Sequence, residues 1–220
     1  MFLSLRLRRC RYSGGGLLLF TGSVYTLFLM TKFLFATTNA QKLEIARVIC
    51  ATYQCTVEPV ALEIDEIQGE DAELILRDKA KRAFELTGKP VVVSDDCWGI
   101  SALNGFPGAY MKSMNHWLTA DDFLRLMDGL DDRRITLYQG LAYTDGAITK
   151  TFICEIPGTI MHEKRGPQTA DACAQVVAMD MDSGKTIAEV FDGPKEDLLR
   201  RNTTQREVWH EFIEWYRDIR

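Results

Sequence analysis

Two adjacent aspartates follow a run of β-branched residues near the middle of the chain. The segment VVVSDDCWGISALNGFPGAY (residues 91–110) places Asp95 and Asp96 at the end of a predicted buried strand. In open α/β sheets, ligands bind beyond the carboxyl ends of the strands. The two acids can therefore cap a turn, bind a metal ion or orient a water molecule. The loop at residues 105–110 combines a proline with two glycines, which predicts a constrained turn that permits close backbone approach.

A second candidate lies where a short apolar run meets a helical pattern. The sequence TTNAQK occupies residues 37–42. Free backbone N–H groups at the start of a helix attract phosphate. Thr37 and Asn39 add neutral donors, and Lys42 adds a cation one turn inside the helix. The same residues also suit an ordinary helix cap followed by a surface lysine, so both interpretations stay open.

A third candidate is the acidic sequence DEIQGE at residues 65–70, just before the next predicted helix. It can be a solvated loop whose charge complements the start of that helix. It can also supply a single carboxylate to a divalent metal ion. Mg²⁺ usually takes one or two protein carboxylates together with water and phosphate oxygens, so a sparse set of ligands is expected.

Alternating strands and helices must position these candidates. Apolar runs predict strands at residues 32–37, 56–65 and 91–95, and helical periodicity predicts helices after residue 39 and over residues 70–87. Downstream we predict a capped helix at 119–127, a hairpin of 133–143 with 147–156, a strand at 173–181 and a helix at 205–217. This order predicts an α/β fold with one mixed sheet flanked by helices.

Composition restricts the class of protein. The chain has 220 residues, of which 46% are hydrophobic and 26% charged, and this fits one folded domain over residues 31–220. The net charge is −5 although residues 1–30 carry four arginines and no acid, so the acidic body disfavours nucleic acid as a partner. The six cysteines form no CxxC pair, which predicts reduced thiols, a cytoplasmic location and no zinc site.

Residues 1–30 combine a basic start, a glycine-rich break and an interrupted apolar run. Three interpretations remain open: a signal or anchor segment, an organelle-targeting segment, or a true translation start at Met30. Polar residues interrupt the apolar run, which argues against a membrane anchor. We therefore place this extension outside the fold and expect no membrane partner.

Together and in this order, the motifs resemble the inosine triphosphate pyrophosphatase family. The resemblance rests on TTNAQK, EIQGE, SDD, ALNGFPGAY, GTIMHEKRGP and KTIAE, and it runs from about Lys32 to Glu189 and thinly to Arg201. It implies Mg²⁺-dependent hydrolysis of deaminated purine nucleoside triphosphates to the monophosphate and pyrophosphate. It also implies a long twisted mixed sheet in two lobes around a central cleft, and a homodimer.

The resemblance also implies roles for individual residues. Asp95 would activate the attacking water, and Lys42 would offset developing charge. Substrate would be bound by Thr37, Asn39, Lys42, Lys79, Lys195 and Arg201. The Mg²⁺ ligands would be Glu66, Asp95 and Asp96.

The sequence departs from the family pattern at two places. Ser94-Asp95-Asp96 replaces the usual Glu-Asp-Thr or Glu-Asp-Ser, so we expect Asp96 to supply the missing charge. No aromatic residue follows Gly166 where the family stacks on the purine, and Leu199-Arg200-Arg201 replaces its Ser-His-Arg. Aromatic stacking on a base contributes about 1–3 kcal/mol.

These departures predict altered base selectivity. They leave two alternatives open: a nucleotide-binding protein without turnover, or a pyrophosphatase for another base. Four aromatic residues could replace the missing stacking surface, although we favour placing them in the core. They are Trp98, Phe106, Tyr110 and Trp117.

Overall fold

The computed structural model describes residues 31–67, 69–182, 184–194 and 208–219. The N-terminal extension and two predicted substrate-binding residues, Lys195 and Arg201, lie outside these ranges. Within them, no helix combines the length and the apolar character needed to cross a membrane.

A single mixed sheet forms the centre of the fold, as predicted. Its order is β2-β1-β3-β5-β6-β7, and the short strand β4 pairs with β3. β1 is parallel to both β2 and β3, whereas the remaining pairs are antiparallel. The strands are β1 Thr31–Ala36, β2 Cys55–Val60, β3 Val91–Ile100, β4 Pro107–Gly108, β5 Arg134–Thr144, β6 Thr149–Ile160 and β7 Val177–Met179.

Helices cover both faces of this sheet. They are α1 Ala40–Thr52, α2 Ala72–Thr87, α3 Met111–Trp117, α4 Ala120–Leu126, α5 Ala172–Val176, α6 Ile187–Asp192 and α7 Val208–Asp218. The predicted capping box is present, with Thr119 and Asp122 each accepting a backbone N–H of the other. Gly88 ends α2 in the left-handed conformation, with φ of 63°.

Three predicted strands need correction. The strand predicted at residues 56–65 is shorter, because β2 ends at Val60. Residues 173–181 are not one strand, because α5 takes the first part and only Val177–Met179 pairs with β6. Periodicity alone does not separate a short buried strand from a short buried helix. The strand predicted at 91–95 instead continues to Ile100, because all ten of its residues pair with β5.

The buried side chains form cores at opposite ends of the long strands. At one end, α1 and α7 pack on one face of the sheet through a cluster that includes Phe33, Phe35 and Phe212, and α2 packs on the other face. At the far end, Ile100 of β3 and Ile160 of β6 join a separate cluster under α3, α4 and α5. The chain therefore has the two lobes that the family resemblance implies.

Replacing Phe212 with Ala is expected to lower the free energy of unfolding by about 3–5 kcal/mol. The Phe212 ring is fully buried, and its centroid lies 4.8 Å from that of Phe33 and 5.7 Å from that of Trp209. Urea unfolding followed by circular dichroism measures the loss. Trp117→Ala is the control, because Trp117 is 74% exposed and its removal should change stability by less than about 0.5 kcal/mol. Equal losses in the two variants would contradict this packing.

Candidate functional site

The candidate site lies at a gap along one edge of β3. On that edge β1 pairs only with Val92 and Val93, and β4 pairs with Trp98 and Gly99. Among the described strands, none pairs with residues 94–97 there. The chain leaves β1 at this gap and enters α1, so the TTNAQK turn lies beside the two aspartates. The sequence placed each candidate separately at the carboxyl end of a strand, where ligands bind in open α/β sheets.

Strand geometry separates Asp95 from Asp96. Successive side chains of a strand point to opposite faces of the sheet. Val91 and Val93 pack with α2, and Asp95 follows them onto that face. Asp96 points to the face covered by α1, where its Oδ2 lies 3.1 Å from Lys42 Nζ. The two aspartates therefore act in different environments, although they are neighbours in sequence.

Lys79 organises the face that carries Asp95. Its Nζ donates to Glu66 Oε1 at 2.6 Å and to the Ser94 carbonyl at 3.0 Å, and it lies 4.0 Å from Asp95 Oδ1. Burial raises the pKa of Asp95, although Lys79 and Lys42 act to lower it. Burial also acts to raise the pKa of Glu66, but the hydrogen bond and charge of Lys79 outweigh it and hold that pKa low.

The start of α1 supplies the other half of the site. Asn39 caps the helix, because its Oδ1 accepts the backbone N–H groups of Gln41 at 2.9 Å and Lys42 at 3.1 Å. Thr37 Oγ1 accepts the Asn39 N–H at 3.1 Å. Burial acts to lower the pKa of Lys42, but the charges of Asp96 and Asp95 outweigh it and raise the pKa. Lys42 is therefore a firmly charged cation at a helix start.

Two carboxylates, Glu66 and Asp95, could hold a metal ion. Glu66 and Asp95 both face Lys79 Nζ. The charge of Glu66 acts to raise the pKa of Asp95, and the charge of Lys79 acts to lower it. Two carboxylates match what Mg²⁺ commonly takes from a protein. Asp96 lies on the other face with Lys42, so the structure does not bring it into this pair. The described residues contain no group of three or more His, Cys, Asp or Glu side chains arranged for a metal.

A cavity of about 530 Å³ opens on the face of the sheet that carries Asp96. Its floor is formed by alternate residues of three strands, and its walls come from α1, α5, α6 and α7. The floor residues are Ser94, Asp96, Trp98, Leu137, Gln139 and Ile156. Asp96 Oδ1 and Ser94 Oγ are buried there without a hydrogen-bond partner. Asn39 and Lys42 also line the cavity, so it adjoins the start of α1.

Aromatic side chains from three separate elements line this cavity, and the sequence did not predict that these elements meet. Trp98 lines it from β3, Phe191 from α6 and Trp209 from α7. The first was among the four aromatic residues considered above, whereas Phe191, Trp209 and Gln139 were missed. The periodicity of a helix or strand shows which residues share a face of that element. It does not show which elements line the same cavity.

The preference for placing the four aromatic residues in the core was wrong for three of them. Phe106 is 44%, Tyr110 40% and Trp117 74% exposed. The loop before α3 lies at the surface, and α3 buries Met111 and Met114 instead. Of the four, Trp98 alone lines the cavity.

Comparisons with known proteins give a consistent family and fold. A sequence model of the Ham1 family matches residues 33–207. The chain is 33% identical over 188 residues to the dITP/XTP pyrophosphatase of Methanopyrus kandleri, covering 85% of this chain and 97% of that protein. It is 36% identical over 112 residues to the inosine triphosphate pyrophosphatase of Tuber melanosporum, covering 51% and 60%.

Solved structures share the same architecture. The HAM1 protein from Coxiella burnetii superposes with a TM-score of 0.67 at 19% identity, covering 86% of this chain and all of that chain. The Staphylococcus aureus Ham1 protein superposes with a TM-score of 0.59 at 20% identity, covering 79% of this chain and 94% of that chain. At these identities the likeness concerns the fold, and it confirms the mixed sheet flanked by helices.

Proposed function

The chain belongs to the Ham1 family, and from that membership we propose that it is a pyrophosphatase for noncanonical purine nucleoside triphosphates such as dITP and XTP. One observation carries the proposal beyond the family name. Asp95 of β3 is a largely buried carboxylate that lies 4.0 Å from Lys79 Nζ and is influenced by the charges of Lys42 and Glu66. It lies next to the gap at which α1, a helix whose start suits phosphate, begins.

The triphosphate would bind at the gap along β3. The backbone N–H groups and dipole of α1 favour an anion there. Lys42 and Lys79 approach the gap from opposite faces and bring two cations to it. Asn39 uses its Oδ1 to cap the helix, which leaves its amide hydrogens and the Thr37 hydroxyl as neutral donors. Roles for Lys195 and Arg201 in substrate binding stay predictions.

Asp95 would act as the general base. A water molecule would transfer a proton to its carboxylate while the water oxygen attacks the α-phosphorus. The bond from the α-phosphorus to the bridging oxygen then breaks, and pyrophosphate leaves with that oxygen. A general base works best when its pKa approaches the working pH. In the protein without a metal ion, burial moves the pKa of Asp95 upward, in that direction.

Glu66 and Asp95 fit Mg²⁺ by the chemistry of their oxygens and by their number. When bound, Mg²⁺ would neutralise phosphate charge as it develops during cleavage. Lys79 would then hold both carboxylates in place from the α2 side. The predicted ligand role of Asp96 would require its side chain to leave Lys42.

A nucleotide-binding protein without turnover is the second candidate function. The pairing of Asp96 with Lys42 favours it, because a cation neutralised by a carboxylate has less charge to offer a phosphate. The homodimer and the cytoplasmic location also remain proposals that rest on the family resemblance and the cysteine usage. Sedimentation equilibrium would test the dimer.

We expect the protein to release pyrophosphate from ITP, dITP and XTP in the presence of Mg²⁺, and more slowly from the four standard triphosphates. Chelation with EDTA should abolish release, and added Mg²⁺ should restore it. A coupled pyrophosphate assay measures both. Tight nucleotide binding with no release from any substrate would replace the proposed enzyme with the binding protein.

A further inference from the structure

Gln139 lies at the centre of the cavity floor. It is directly opposite Asp96 in the pairing of β3 with β5, and both side chains line the cavity. Directly opposed residues in an antiparallel pair have Cβ atoms about 4.5–5.5 Å apart. Its neighbours on the floor include Trp98 and Leu137, which are apolar. Gln139 is thus a neutral polar group between the carboxylate of Asp96 and the apolar side chains of Trp98 and Leu137.

The first turn of α7 fixes the orientation of the Gln139 amide. The Val208 backbone N–H donates to Gln139 Oε1 at 3.3 Å. A backbone N–H can only donate, so the amide atom that faces it must be the oxygen. The Nε2 group is therefore directed away from Val208 as a pair of hydrogen-bond donors. Asn115 in the same cavity is oriented in the same way by Cys173, whose N–H donates to its Oδ1 at 3.0 Å.

The charge of the cavity indicates which part of a nucleotide enters it. Among its described lining residues, three are acids and one is a cation. The acids are Asp96, Asp171 and Asp192, and the cation is Lys42 at the α1 end. Such a lining repels phosphates away from Lys42 and accepts a neutral base. By charge, a neutral base would fit the part of the cavity that contains Gln139 better than a phosphate would, and the phosphates would fit the α1 end beside Lys42.

We propose that Gln139 determines base selectivity, because its oriented amide donates a hydrogen bond to a carbonyl oxygen of the base. This inference rests on the proposed function. A 6-oxopurine offers an oxygen acceptor, whereas adenine presents an amino donor at the same position, which opposes the amide hydrogens. Guanine carries the same oxygen, so Gln139 separates oxopurines from adenine and does not separate ITP from GTP.

The test compares kcat/KM for ITP and ATP in three proteins. Gln139→Leu removes the donor and should lower the ITP-to-ATP ratio about tenfold. Gln139→Glu replaces the donor with an acceptor, keeps an oxygen for Val208 and should lower the ratio further. Ribose 5-triphosphate, which has no base, should be cleaved equally by all three proteins. Gln168→Glu is the matched control for charge, since Gln168 is exposed and outside the cavity lining.

An unchanged ratio in both Gln139 variants would overturn the proposal, and so would an equal loss on ribose 5-triphosphate. Calorimetric binding of ITP and ATP to the same variants examines the inference independently of turnover. A wild-type protein that cleaves no nucleotide would overturn the proposed function. In that case, an ITP preference in binding that falls in the Gln139 variants would still support the role of Gln139.

Discussion

Replacing Asp95 with Asn lowers kcat for pyrophosphate release by an expected factor of about 10²–10⁴, the usual contribution of a general base. The amide has nearly the same shape but cannot accept the proton of the attacking water. The proposed substrate contacts at Lys42 and Asn39 lie at the start of α1 and would remain in place, so KM should change much less. Steady-state kinetics with ITP measures both parameters.

Stability provides an independent check on this variant. The folded protein raises the pKa of Asp95 above its value in the unfolded chain, so the ionised carboxylate costs stability at neutral pH. Asp95→Asn should therefore unfold at a urea concentration no lower than wild type at pH 7. Asp96→Asn should reduce kcat less, because Asp96 faces Lys42 on the other side of the sheet. Parent-rate turnover by Asp95→Asn would remove Asp95 from the role of base.

Local signals made much of the fold predictable. The Thr119 to Asp122 capping box, the left-handed Gly88 and the β5–β6 hairpin each depend on residues close together in sequence. The turn between β1 and α1, with Asn39 as the helix cap, was predictable for the same reason. Such features need no knowledge of the rest of the chain, because the interacting groups are already neighbours.

Features that depend on distant packing were not predictable in this way. The segment at 173–181 is mostly apolar, and only its contacts decide that its first half is helical. Phe191, Trp209 and Gln139 belong to three different elements, and the fold alone brings them into one cavity. The separation of Asp95 from Asp96 is different. It follows from strand periodicity, but only once β3 is known to continue past both residues.

Lys79 contacts Glu66, the Ser94 carbonyl and Asp95 on one face of the sheet. Replacing Lys79 with Met should lower kcat by a factor of about 10²–10³, as when a preorganised hydrogen-bond donor is removed. Lys79→Met loses the cation that contacts Glu66 and approaches Asp95. Lys79→Arg keeps the charge and should recover part of the activity. Lys81→Met is the matched control on the same helix, because Lys81 is exposed and pairs only with Glu85 among the described ion pairs.

The dependence on pH separates a functional role of Lys79 from a purely structural one. Lys79 acts to lower the pKa of Asp95, so its removal should raise that pKa further. Asp95 would then stay protonated to higher pH, and the acid limb of the kcat/KM profile should move to higher pH. Lys81→Met should leave the profile in place. A Lys79→Met profile that falls in height without moving would show that Lys79 does not act through Asp95.

Linkage gives the corresponding sign for stability. Lys79 holds the pKa of Glu66 below its ordinary value, so the ion pair stabilises the folded protein. This stabilisation is complete above the pKa of Glu66 in the unfolded chain and is lost as the pH falls through its pKa in the folded protein. The loss in free energy of unfolding of Lys79→Met relative to wild type should be largest at neutral pH and should shrink as the pH falls. Urea unfolding at a series of pH values measures this. A deficit that stays constant with pH would mean that the Lys79 stem stabilises the fold by packing, and that its charge does not hold Glu66.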